Sequence, residues 1–321
     1  MDNTQIVRDY VLRELDMDAV GIASADALRG EPRGHRPEDI LPGAKSIVVF
    51  LKHIPDGVTQ AAFRAKEDGN ADVFSVYAAY GRELTPNMYL FFMMFNLAEF
   101  IERKFGRTSV PIPAGPMQNV TSSNLPLPAF VGARRNAFVL HPERAAVAAG
   151  LGEIAWNNAL VTEKYGPRQG IGLVLTTMEL DCDAPYDGPR LCDPEKCGGL
   201  CASLCPVGAI PAPGGETETY TVAGRSYETA RIDPNACAVA SMAFRREFSG
   251  KLEVPDQILN NAPDDAELAA AFAAKPANPT SLGHWPNYFC DKCTLYCPLG
   301  HWSERFAARG LSGFDGKGAA E

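Results

Sequence analysis

The chain has 321 residues and a formal charge of −9, from 30 Lys and Arg against 39 Asp and Glu. This length allows one large domain or two ordinary ones, and 46% hydrophobic with 21% charged residues excludes a disordered polymer. The acidic balance argues against a nucleic-acid partner, which needs a cationic face.

In chain order, the first element is expected to be an amphipathic helix, with Ile6, Val7, Tyr10, Val11 and Leu15 at three- and four-residue steps. Asp18–Ala23 and Ser46–Leu51 are short apolar runs and are expected as buried strands, with a Pro- and Gly-rich loop over Ala27–Gly43 between them. A second helix is expected over Pro86–Phe105, and Thr108–Arg135, with five prolines, is expected as a long loop. A short helix over Glu143–Ala149, a strand over Gly170–Thr177 and a helix over Asp256–Ala274 complete the pattern. Met1–Asp16 carries charge through every turn, without an apolar signal core or a twin-arginine pair. The most apolar run, Met88–Ile101, is broken by Asn96 and Glu99 and is shorter than the roughly 20 residues that cross a bilayer. The expectation is a cytoplasmic protein without a membrane partner, whose thiols stay reduced.

All nine cysteines follow Leu180, and seven of them stand in two runs. Residues 1–180 are therefore expected as an α/β domain. Residues 181–310 are expected as a small cysteine-bound domain with an insertion at about 240–285, and 311–321 as a flexible tail. The first run is Cys192-x4-Cys197-x3-Cys201-x3-Cys205-Pro206. The second is Cys290-x2-Cys293-x3-Cys297-Pro298, with Cys237 upstream. In two-cluster ferredoxins one run gives three thiolates to one 4Fe–4S cluster, and its terminal Cys-Pro serves the other. That logic assigns Cys192, Cys197, Cys201 and Cys297 to cluster 1, and Cys205, Cys237, Cys290 and Cys293 to cluster 2, leaving Cys182 over. Zinc on four cysteines, or on Cys290 and Cys293 with His284 and His301, is the alternative, but it does not explain two Cys-x3-Cys-Pro endings. Disulfides would not need these spacings. Neither a dinucleotide-binding Gly-x-Gly-x-x-Gly after a strand nor a P-loop is present, and His-Glu-x-x-His is absent.

Ala149–Leu180 (AGLGEIAWNNALVTEKYGPRQGIGLVLTTMEL) resembles the segment that reductive dehalogenases place before their iron–sulfur motif, and epoxyqueuosine reductases carry a looser version. The likeness extends to Leu97–Ile101 and to Arg231–Cys237. It implies a nitroreductase-like α/β core that holds a base-off corrinoid such as cobalamin, followed by a ferredoxin-like domain with two 4Fe–4S clusters. It also implies an oxidoreductase that cleaves a carbon–halogen or related carbon–heteroatom bond of a small molecule, with electrons from an external reduced ferredoxin or flavodoxin. Within that resemblance Gly150, Leu151, Gly152, Trp156, Asn157 and Asn158 are expected at the macrocycle, and Arg168 and Asn136 at the substrate. Tyr89 is the preferred proton donor and His141 its competitor. For Arg168 the alternative is a structural ion pair at a turn. The sequence departs from the dehalogenase pattern in its stretched first cysteine run, in Gly170 where a second arginine is expected, in the insertion after Cys237 and in lacking an export signal. Activity on modified tRNA and a non-enzymatic electron carrier are the other expectations. The acidic charge and the lack of a helical-repeat tail weigh against the tRNA reading.

Overall fold

The structure is a computed structural model that describes residues 2–67, 80, 81, 85, 89–112, 140–248, 256–274, 290, 292–301 and 304. It is a mixed α/β fold. Helix α1 (Asn3–Asp9) starts on the Asp2 side chain as cap and runs on into a π-helical turn, Tyr10–Glu14. Strands β1 (Ala19–Ser24) and β2 (Ser46–His53) follow, then helices α3 (Asp56–Glu67) and α4 (Leu90–Phe105), after a four-residue α2 (Pro37–Ile40) between the two strands. Strands β3 (Ser109–Ile112) and β6 (Gln169–Thr176) complete an antiparallel sheet ordered β1-β2-β6-β3. The hairpin β4 (Glu153–Ile154) and β5 (Leu160–Val161) stands apart from it.

The sheet is buried on both faces because its strands are apolar at nearly every position, and the two-residue alternation sorts their side chains. Ile47, Val49, Leu51, Ile171, Leu173 and Leu175 point to one face, where the alanine-rich helix Pro142–Ala148 packs. Val48, Phe50 and Val174 point to the other, under α1 and the Leu90, Met94, Leu97 and Ile101 face of α4. Phe50 lies opposite Gly172, whose missing Cβ leaves room for the ring: an added methyl would sit 2.3 Å from it.

The expected strands are present, each within a residue or two of its sequence bounds. Three expectations change. Within the expected loop Ala27–Gly43, Pro37–Ile40 forms the short helix α2, with Pro37 at its first position. The start of the Thr108–Arg135 loop is the strand β3; Pro111 fits it because β3 is a sheet edge, where a missing N–H breaks no ladder. Residues 113–139, with Asn136, lie outside the described residues, as do 86–88 at the start of the second helix. Of Asp256–Ala274 only Asp265–Ala274 is helical. The Asp264 carboxylate accepts the Glu267 N–H at 2.8 Å and starts the helix there, after Pro263.

Beyond β6 the chain forms the helix Leu200–Ser203, the hairpin β7 (Thr217–Val222) and β8 (Arg225–Ala230), and the helices Pro234–Ser241, Asp265–Ala274 and Lys292–Leu295. A second apolar core, built on Val207, Val239, Phe244 and Leu268, holds this part together. The hairpin reaches back to the first module: Val222 joins the sheet's core, and the Arg144 guanidinium lies 4.6 Å from the Tyr220 ring centroid.

Candidate iron–sulfur centre

The two cysteine runs meet through their short helices, Leu200–Ser203 and Lys292–Leu295, which pack together. That contact brings thiols far apart in sequence to one place. The Cys201 thiol is pushed up to about 12, by burial first and then by the charges of Cys192, Cys297 and Cys197. Burial likewise pushes Cys297 up to about 11, with Cys192 and Cys197 adding to the rise, while the Leu299 N–H and the Arg168 guanidinium pull the other way. Cys192 is raised by burial against the pull of the Trp156 N–H. These are the four residues expected at cluster 1.

Backbone N–H groups are aimed at several of these cysteine sulfurs, with the Ala202 N–H on Cys201 among them. Trp156 N donates to Cys192 Sγ at 3.3 Å and Ala209 N to Cys205 Sγ at 3.2 Å, and the Leu299 N–H serves Cys297. Crowded, half-buried thiols with amide donors suit thiolates around a polycationic body, and such N–H···S bonds are one of the means by which a protein sets a cluster's potential. Of the second expected set, Cys205, Cys237 and Cys290 border one apolar core. Cys293 and Cys205 lie with Cys192 and Cys201 around Trp156, Ile210 and Ala230, so Cys205 borders both groups. Among the described residues no three His, Cys, Asp or Glu donors are gathered closely enough for a single metal ion. A zinc tetrahedron with Zn–S near 2.3 Å would bring its sulfurs to about 3.8 Å from one another. Cys182 is exposed and apart from these groups, and His301 pairs with Glu304 at 3.4 Å.

The turn between β4 and β5 serves the cysteine runs. Trp156 donates its indole N–H to the Pro211 carbonyl at 2.8 Å, in addition to its backbone bond to Cys192. Asn157 Nδ2 donates to the Cys293 carbonyl at 3.0 Å, and Asn158 Nδ2 to the Ala230 carbonyl at 3.1 Å. Gly150 and Gly152 do make close approaches, but to protein backbone: an added Cβ would lie 2.3 Å from the Ala184 carbonyl and 2.2 Å from that of Val161. Leu151 packs on the sheet's core. These six residues were expected at a corrinoid; the contacts that the structure gives them are with the chain itself.

Arg168, expected at the substrate, is engaged with the second cysteine run. Its side chain is 1% exposed and donates to the carbonyls of Thr294 at 3.2 Å, Cys297 at 2.8 Å and Leu299. Gly166 and Gly300 make this contact possible. Both have positive φ, at 58° and 82°, and a Cβ on either would lie 2.3 Å from the other segment's backbone. Sequence reasoning missed this pair of glycines, although the Tyr-Gly-Pro-Arg turn contains one of them.

Tyr89 stands just before α4 and is 38% exposed. Its phenol is close enough to act on the Lys52 ammonium. Burial lowers the Lys52 pKa, but the bond to Asp16 and the charges of Asp18, Asp16 and Tyr89 outweigh it, so the net shift is upward. His141 occupies the cap position of helix Pro142–Ala148, with Nδ1 3.1 Å from the Glu143 carboxylate. A further titratable pair, not singled out in the sequence, lies beside Arg168. His53 stacks on Tyr165 at 4.0 Å between centroids, with Nε2 3.4 Å from Asp56, which is 2% exposed.

No protein-family model matches the sequence. Its relatives include epoxyqueuosine reductase and reductive dehalogenases, which are oxidoreductases. The epoxyqueuosine reductase of Gloeobacter violaceus is 27% identical over 229 residues, 63% of this chain and 59% of that protein. A tetrachloroethene reductive dehalogenase of Desulfitobacterium hafniense is 43% identical over 70 residues, 20% of this chain and 12% of that protein. The chain thus spans less than two thirds of the length of either relative. A crystal structure of epoxyqueuosine reductase with an epoxyqueuosine-modified tRNA-Tyr stem loop aligns with a TM-score of 0.46 and 17% identity, over 93% of this chain and 66% of that one. Among the described residues no helix is long and apolar enough to cross a membrane.

Proposed function

We propose that the protein is an iron–sulfur reductase in which Cys192, Cys197, Cys201 and Cys297 hold one 4Fe–4S cluster, and Cys205, Cys237, Cys290 and Cys293 a second. The observation that carries this reading is the convergence of Cys297 with the three cysteines of the first run. Bound there, such clusters supply single electrons at potentials anywhere from about −700 to +450 mV. The protein's part is to bury the thiolates, donate amide hydrogens to their sulfurs and keep water from them. Tyr89, whose phenol lies near the Lys52 ammonium at the start of α4, is the proposed proton donor. An external reduced ferredoxin or flavodoxin is the electron source in this reading.

The relatives point to two substrates. A small molecule with a carbon–halogen or related bond follows the 43% identity to the dehalogenase, and an epoxyqueuosine-bearing stem loop follows the longer match to the reductase. Corrinoid dependence rests on the resemblance, not on Gly150–Gly152 and Trp156–Asn158. The test is anaerobic purification with corrinoid supplied, then metal analysis, electron paramagnetic resonance and turnover of a halogenated phenol against the modified stem loop. Two clusters correspond to about eight irons per chain. Iron with cobalt and turnover of either substrate supports a reductase. Iron without cobalt or turnover leaves an electron carrier, and zinc in place of iron overturns the proposal.

A further inference from the structure

The β6 end of the sheet module reaches into the second cysteine run through one side chain. Arg168 sits at the foot of β6. Its own N–H donates to Tyr165 at 3.2 Å, and its carbonyl accepts the Ile54 N–H at 3.0 Å, just past the end of β2. From that anchored backbone its buried guanidinium bonds three carbonyls about 130 residues downstream, those of Thr294, Cys297 and Leu299. Thr294 lies in the last turn of the helix Lys292–Leu295, and the other two lie in the Cys297-Pro298 turn that follows. The last carbonyls of a helix have no partner within it, and a cation there also opposes the negative end of its dipole.

We propose that Arg168 is a positioning residue for the iron–sulfur centre: its guanidinium fixes from the sheet the turn that presents Cys297, and places one fixed positive charge beside that cluster. This inference rests on the cluster assignment above for its redox consequence, but the clamp itself is a property of the polypeptide. Lysine cannot replace it fully, because one ammonium lacks the planar fork that serves several carbonyls at once. The Tyr-Gly-Pro-Arg turn therefore has a use within this chain: glycine lets the two backbones touch, and arginine ties them.

Arg168→Met, Arg168→Lys and, as a reference, Cys297→Ser test it by two independent readouts. In the iron-free protein, amide hydrogens over 292–300 should exchange at least about tenfold faster in Arg168→Met than in wild type, by the loss of charge-assisted hydrogen bonds, while β2 and β6 keep their protection. In the iron-loaded protein, Arg168→Met should lose or lower the potential of the same single cluster that Cys297→Ser disturbs, and Arg168→Lys should lie between Arg168→Met and wild type. Unchanged exchange over 292–300 overturns the clamp even if no iron binds. Two clusters at wild-type potentials, or both lost together in each Arg168 variant, overturn its tie to Cys297. Absence of iron from the wild type would instead fail the proposed function, and the exchange measurement would still decide the clamp.

Discussion

At the scale of single residues, the contact between the Gly-Pro-Arg turn and the Leu299–Gly300 segment leaves little tolerance. Alanine at 166 would have to adopt φ near +58° with its Cβ 2.3 Å from the Leu299 oxygen. Strained φ of this kind costs about 1–3 kcal/mol, so Gly166→Ala should lower the denaturant midpoint of the iron-free protein and its iron uptake. Gly57, in the first turn of α3, has no atom within 4 Å of an added Cβ. Gly57→Ala should instead be neutral or stabilise by up to about 1 kcal/mol. Equal midpoints for the two variants would refute the packing argument. Gly166 was in view in the sequence as part of the Tyr-Gly-Pro-Arg motif, but its partner at Gly300 was not. Proximity between segments over a hundred residues apart leaves no local pattern to read. The same limit applies to Arg168. Its residue type suggested an anion, and only the fold reveals the three carbonyl oxygens that it meets far downstream.

At the scale of elements, strands were legible where apolar residues cluster between turn signals, as in Ser46–His53 and Gln169–Thr176, because burial on both faces demands that composition. The strand β3 was not, since Ser109 and Pro111 interrupt the signal and an edge position tolerates both. The other edge, β1, is covered in a way that no periodicity conveys. Asp183 Oδ2 accepts the Ile22 N–H at 2.8 Å and the Arg8 guanidinium at 2.7 Å, while the Asp183 N–H donates to the Ile22 carbonyl at 2.8 Å. A carboxylate thus ties the first helix, the edge strand and the segment leading to the cysteine runs. Asp183→Ala should cost about 1–2 kcal/mol, the value of charge-assisted bonds discounted for partial exposure. A double-mutant cycle with Arg8→Ala should show coupling between the two sites. Additive effects would mean that the carboxylate acts through Ile22 alone.

At the scale of the whole molecule, the sheet module folds around its own two apolar layers, whereas the cysteine-bearing part combines a modest alanine-rich core with crowded, half-buried thiols. Thiols pushed up by burial and by one another favour the protonated state at neutral pH, and a cluster must displace those protons to bind. In the proposed reading iron binding would therefore contribute to the stability of the part that supplies the ligands, as any ligand specific to the folded state does. The sheet, whose core contains none of these sulfurs, does not depend on it. Stripping iron anaerobically with a chelator should speed amide exchange over Cys192–Cys205 and 292–300 while β2 and β6 stay protected. Re-addition of iron and sulfide should restore the slow rates. The bonds from Trp156, Asn157 and Arg168 cross between the two parts, so the order lost on stripping should stop at the turn between β4 and β5 rather than spread through the sheet. A uniform rise in exchange across both parts would mean that the sheet owes its stability to the metal as well. No change in either part would mean that the polypeptide alone orders the cysteine runs.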